Sequence, residues 1–151
     1  MNKRIKGRSL GREKDQKKAL MRTLLVSLIE NKKIITTLAK AKELKPFAES
    51  RLSLAKRGLV NEIEKTSKTR LLKKELPIKS IRELFLIAKE AKRAGGYTRI
   101  IKLMPRKSDF SKMAMIEWVD KLKVSEKKSP EKKTTVKKVE KIKKKTTDKK
   151  N

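Results

Sequence analysis

The sequence predicts an α+β fold of two layers, with helices packed on one face of a small sheet. Two observations carry that expectation. Apolar residues recur at helical spacing in separate stretches, and short β-branched or alternating segments stand before and after them. Their order along the chain reads helix, strand, three helices, two strands, which is the order of an α+β domain.

The first helix rests on Met21, Leu24, Leu25, Leu28 and Ile29, the i, i+3, i+4, i+7, i+8 stripe of an amphipathic helix. Asp15 is its expected N-cap, and Asn31 is expected to end it in the left-handed conformation. Ile34-Ile35-Thr36-Thr37 follows as a strand, because a β-branched run this short favours the extended state. Helical spacing returns with Ala41, Leu44, Ala48, Leu52 and Ala55 and stops at Gly58. Pro46 within it either kinks the helix or marks an early-turn position. Asn61 is placed to cap a short polar helix running to about Leu72, whose thin apolar face is Val60, Ile63, Leu71 and Leu72. Pro77 breaks the chain. Ile81, Leu84, Phe85 and Ala88 then form another helix, closing at Gly95-Gly96. The segments Tyr97 to Leu103 and Met113 to Val119 are β-rich, and Pro105, Ser108 and Asp109 between them make a turn, so the two are expected to pair antiparallel.

Composition divides the chain into three parts. Residues 1–14 read as a basic extended arm, with Lys3, Arg4, Lys6, Arg8, Arg12 and Lys14 set against Glu13 alone and punctuated by Gly7 and Gly11. Residues 15–120 hold the domain. Residues 121–151 hold fourteen lysines and four acidic residues, a net charge of +10, with Ser, Thr and Pro in the gaps. A segment so polar buries too little apolar surface to offset chain entropy and is expected to be disordered when unbound.

Charge bounds the function. Lys and Arg number 46 against 17 Asp and Glu, a formal net charge of +29. Such a chain repels itself and needs a polyanion, so nucleic acid or an anionic surface is the first-order partner. Cys and His are both absent, which removes thiol nucleophiles, imidazole bases, Cys/His zinc sites and disulfides together. No apolar run reaches ~18 residues, so no transmembrane helix is expected. A basic start without an apolar stretch behind it does not make a secretory signal. The expectation is a soluble, intracellular, non-catalytic chain without cofactor, membrane partner or small-molecule substrate.

The arm is the strongest candidate site. Basic residues spaced by glycines let the backbone approach a phosphate chain and follow its contour. Lys17, Lys18 and Arg22 lie opposite the apolar stripe of the first helix, directly after the arm. Thr36 and Thr37 precede the second helix, and Lys40, Lys42 and Lys45 sit near its start. Unpaired N–H groups and hydroxyls there suit a phosphate, while Thr37 is also expected to cap the helix. Arg99, Lys102, Arg106 and Lys107, on and beside the last two strands, complete the candidate RNA-contacting set. Asp109, Glu117 and Asp120 have no ligand spacing and are expected to be ion-paired or solvated. Gly95-Gly96 is not followed by the GK[ST] of a phosphate-binding loop. The aromatics are expected mostly in the core, with Trp118 on one strand face beside Ala114 and Ile116, so RNA would be read through phosphate and shape rather than base stacking.

Three stretches carry a family resemblance. GRSLGR followed by KKALMRTLLVSLIENKKI, then ITTLAKAKELKPFAE, then RAGGYTRIIKL continuing through MPRKSDFSKMAMIEWVD, are similar in order and spacing to the bacterial ribosomal protein seventeen family of the large subunit. The resemblance implies an α+β two-layer fold, assembly on large-subunit ribosomal RNA near the exit of the peptide tunnel, contact with neighbouring large-subunit proteins, and a cytoplasmic location in the ribosome. The chain departs from the family pattern at Gln16-Lys17, Thr23 and Asn31, where the family usually has His-Arg, Asn and His. Ser108 stands where the family has Gly before the Asp. The rival readings from composition are an architectural or nucleoid DNA-binding protein and, ranked last, an enzyme acting on acidic substrates.

Overall fold

A computed structural model describes residues 7–120. The elements follow the expected order: α1 (Lys14–Asn31), β1 (Lys33–Thr37), α2 (Leu38–Arg57), α3 (Glu62–Lys73), α4 (Ile78–Glu90), β2 (Thr98–Lys102) and β3 (Met113–Trp118). The three strands form one antiparallel sheet in the order β1-β3-β2, so the last strand lies between the other two. Register pairs Ile34 with Ile116 on one side and Ile100 with Ile116 on the other. Residues directly opposite one another share a face. Ala114, Ile116 and Trp118 are buried beneath the helices, whereas Ile35, in the next row, is 63% exposed. The helices therefore cover one face and leave the other open, the two-layer α+β architecture the sequence implies.

α2 is the hub and touches every other element. Ala41, Leu44, Ala48, Leu52 and Ala55 are all fully buried along it. The small alanines let neighbours approach closely while the leucines fill the space between, and Met21, Leu25, Leu28 and Ile29 of α1 and Ile81, Leu84, Ile87 and Ala88 of α4 are buried with them. Pro46 lies inside α2, well past its first turn. Pro46 and Lys42, the residue whose carbonyl its missing N–H would have met, are both solvent-exposed. The freed carbonyl thus lies on the solvent side, and the helix continues through the proline. Arg51 clasps the outside of this layer. Its guanidinium lies 3.8 Å from the centroid of the Phe47 ring and meets Glu75 through Nε at 2.8 Å and Nη2 at 2.7 Å. This bidentate bond, ahead of the burial that opposes it, holds the Glu75 carboxyl below its ordinary value.

Several boundaries differ from the sequence expectation. α1 starts at Lys14, with Glu13 in the N-cap position. Asp15 therefore falls in the first turn, where a carboxylate suits the helix dipole, and pairs with Lys18 at 3.5 Å. The left-handed residue after α1 is Lys32, with φ 64°. Asn31 stays helical because its side-chain amide donates back to the Ser27 carbonyl at 3.0 Å. α3 buries only Leu72, and Val60, Ile63 and Leu71 face solvent. The thin stripe was too weak to bind the whole helix to the core, which holds it by its last turn. α4 ends at Glu90, ahead of Gly95-Gly96, because Ala91 turns into extended backbone and is itself buried.

Candidate nucleic-acid interface

Arg8 and Arg12 are exposed on a segment that is not uniformly extended. Leu10 and Gly11 have φ of 59° and 63°, and the Arg12 N–H donates to the Ser9 carbonyl at 3.3 Å, which closes a turn within the expected arm. Gly7, at φ 92°, meets the body of the domain: a Cβ there would lie 3.0 Å from Glu43 Oε2 and 3.3 Å from Lys17 Nζ. Lys17 and Glu43 pair across α1 and α2 at 3.7 Å. The positive φ favours glycine here, while the side-chain ends that a Cβ would meet are flexible enough to yield. Lys3, Arg4 and Lys6 lie outside the described residues, as does the expected Lys-rich tail.

The contact at Gly7 fixes where the arm leaves the fold, beside the first turn of α1 and the second turn of α2. The start of α2 is joined in turn to the β2–β3 hairpin, because the Leu38 N–H donates to the Lys112 carbonyl at 2.8 Å. The arm, Lys17 and Lys18, the start of α2 and the base of the hairpin with Lys102 and Lys112 are therefore tied to one end of the domain. Lys112 was not among the residues singled out from sequence. Its charge was visible, but only the Leu38 bond places it next to α2.

The remaining candidates divide. Lys42 and Lys45 are three residues apart on one side of α2, while Lys40 lies toward the other side. Thr37 occupies the N-cap position of α2 without a side-chain capping bond. The expectation that its hydroxyl caps the helix is not met, since the first turn is secured by the backbone bond to Lys112. Thr36 shares the inner face of β1 opposite Ala114 and is half-buried. Arg22 is half-buried away from the arm, close enough to Glu75 to help lower its pKa.

The carboxylates near the hairpin are ion-paired, with arginines rather than the neighbouring lysines. Arg99 pairs with its cross-strand partner Glu117, and Asp120 with Arg93 at 3.6 Å. Arg106 meets Asp109 through Nε at 2.9 Å and Nη2 at 2.7 Å. That fork, reinforced by the Ser111 N–H, holds the Asp109 carboxyl down to about 2. Arg99 and Arg106 thus already have carboxylate partners, whereas Lys102 and Lys107 are exposed cations beside them. Among the described residues no group of three or more acidic side chains could hold a metal ion. No described helix is long and apolar enough to cross a membrane. The aromatics lie mostly in the core, as expected: Phe47 lies under Arg51 and, with Phe85, packs against the core, and Tyr97 and Trp118 are buried, while Phe110 is the exception at 80% exposed.

A family model described as ribosomal protein L17 matches residues 20–119. A large ribosomal subunit protein bL17 from Chloroflexus aurantiacus is 41% identical over 121 residues, covering 79% of this chain and all of the relative. The bL17 protein of Shouchella clausii is 42% identical over 115 residues, covering 73% of this chain and 96% of that one. That of Zymomonas mobilis is 44% identical over 124 residues, covering 80% and 84%. With a family model spanning the helical layer and the sheet, and relatives matched along nearly their whole length, the chain belongs to the ribosomal protein L17 family.

Proposed function

We propose that this chain is a structural, non-catalytic component of the large ribosomal subunit. It binds large-subunit ribosomal RNA, near the peptide exit tunnel, through phosphate and shape contacts, with neighbouring large-subunit proteins as its other partners. The observation that carries the reading is that basic segments meet at one end of the domain: Gly7 lies against Lys17 and Glu43, and the backbone bond from Leu38 to Lys112 joins the start of α2 to the hairpin. A folded domain with exposed lysines beside a basic segment suits a folded polyanion, since the domain fixes the geometry of its cations and the segment adds charge. Membership of a ribosomal protein family supports the subunit, and the paired state of Asp109, Glu117 and Asp120 supports a role without acid–base chemistry.

The basic segments at 1–14 and 121–151 divide the work. The arm anchors, while the fourteen tail lysines add attraction that salt screens within about 10 Å at ~0.1 M. The test is to delete residues 2–12, which removes Lys3, Arg4, Lys6, Arg8 and Arg12 and leaves every buried stripe in place. Far-ultraviolet circular dichroism should be nearly unchanged, and incorporation into large subunits should fall sharply. Normal incorporation of the deletion variant refutes the reading. Equal binding to duplex DNA and to large-subunit RNA in salt-matched competition would favour an architectural DNA-binding role instead.

A further inference from the structure

The tip of the β2–β3 hairpin displays an aromatic ring that phosphate contacts do not explain. Phe110 is 80% exposed, and its backbone is held at φ 50°, a left-handed conformation unfavourable for a bulky side chain. A set of bonds imposes it. The Phe110 N–H donates to the Arg106 carbonyl at 2.8 Å, and the Arg106 N–H donates to the Ser111 carbonyl at 3.0 Å. The Arg106–Asp109 fork closes the same turn, with Asp109 Oδ1 also accepting the Ser111 N–H at 3.2 Å. The loop is thus braced on both sides of a residue that buries almost nothing in the fold. Backbone strain maintained by surrounding bonds is a feature of binding and functional sites.

The surroundings indicate what meets the ring. Lys107 and Lys112 flank it in sequence and are exposed, with Lys102 at the hairpin base. The one acidic group in the loop, Asp109, is already engaged by Arg106. An exposed aromatic face among cations matches a nucleotide, whose base stacks on the ring while its phosphates meet the ammonium groups. A protein partner burying Phe110 would have to bring acidic groups to the same lysines.

We propose that Phe110 is a base-stacking platform, taking an unpaired base of the bound RNA while Lys107 and Lys112 contact flanking phosphates. The inference rests on the RNA-binding reading above and adds base contact to it. The experiment uses the full chain and large-subunit ribosomal RNA, comparing the parent with Phe110→Ala, Phe110→Leu and Phe110→Trp across a salt series. Circular dichroism checks that each variant is folded. Phe110→Ala and Phe110→Leu should weaken binding by roughly 5- to 150-fold, the loss of one base–aromatic stack. Their salt slope should be unchanged, because no cation is removed. Phe110→Trp should bind at least as well as the parent, and ultraviolet crosslinking of the parent should give a nucleotide adduct at Phe110. Parent-like affinity of Phe110→Ala overturns the proposal while leaving RNA binding intact, and so does full binding by Phe110→Leu, which would mean apolar contact without stacking. Reduced subunit incorporation with unchanged RNA affinity would assign the ring to a neighbouring protein and also overturn it. If the parent itself shows no preference for this RNA, the RNA-binding reading falls as well.

Discussion

Replacing Trp118 tests whether the end of the central strand is fastened to the helical layer as the structure shows. The indole is 7% exposed, and its Nε1–H donates to the Leu28 carbonyl at 3.2 Å, a contact across ninety positions of sequence. Leu28 lies in the last turn of α1, where backbone carbonyls begin to run out of intrahelical donors. Trp118→Phe keeps an apolar ring but removes the donor, leaving a buried carbonyl short of a partner. The cost should be about 1–3 kcal/mol, the range for stranding a buried polar group. Trp118→Ala also empties the ring's volume beside Ile116 and should cost roughly 3–5 kcal/mol. Against a domain stability of roughly 5–15 kcal/mol, the second variant is close to unfolding at ambient temperature. Urea denaturation followed by far-ultraviolet circular dichroism measures both. Trp118 is the chain's single tryptophan, so parent fluorescence must report the same transition if unfolding is two-state. A Trp118→Phe unfolding free energy within about 0.5 kcal/mol of the parent would show that the indole bond adds no net stability, and a parent-like Trp118→Ala would remove Trp118 from the core.

Two further outcomes follow from single groups. Ser80 on α4 is 1% exposed, and its Oγ has no hydrogen-bond partner among the described residues, so Ser80→Ala should raise stability by about 1 kcal/mol, and with it the urea midpoint, through relief of desolvation and better helix propensity. An unchanged or lower midpoint refutes that. Asp109 is depressed from 3.8 to about 2, first by Arg106 and then by the Ser111 N–H. A depressed folded value means that the pairing contributes stability above the unfolded value near 4 and loses it as pH falls through about 2. Carboxyl titration by NMR should place Asp109 there, and Arg106→Gln should return it toward 3.8. A value near 3.8 in the parent would show that the brace does not form in solution.

The sequence by itself determined the element types, their order and the buried faces of the long helices. The i, i+3, i+4 repetition of Leu25, Leu28 and Ile29, or of Ile81, Leu84 and Ala88, can be satisfied only by burying one side of a helix. Alternation did the same for Ala114, Ile116 and Trp118 on β3, and net charge pointed to a polyanionic partner. Local ends were less legible, because competing side-chain bonds decide them: the Asn31 amide keeps its own residue helical and passes the left-handed turn to Lys32. α3 forms where it was expected, after Asn61, but its thin apolar face does not say which of its residues finds a neighbour, and only Leu72 is buried.

Only the tertiary structure placed β3 between β1 and β2, since β-branched runs carry no information about which edges they pair with. It also decided where the described cations sit relative to one another. Lys17 stands beside the arm because Gly7 packs there, Lys112 beside α2 because Leu38 bonds to it, and Arg22 elsewhere because α1 turns it toward Glu75. Phe110, which the sequence reading did not place, is held in the open by bonds among Arg106, Asp109 and Ser111. Hydrophobic pattern specifies what must be hidden, and charge specifies what must be met. The positions of Lys17 and Lys112 depend on contacts between residues far apart in the chain, which only packing supplies, whereas Phe110 is set by bonds within its own turn.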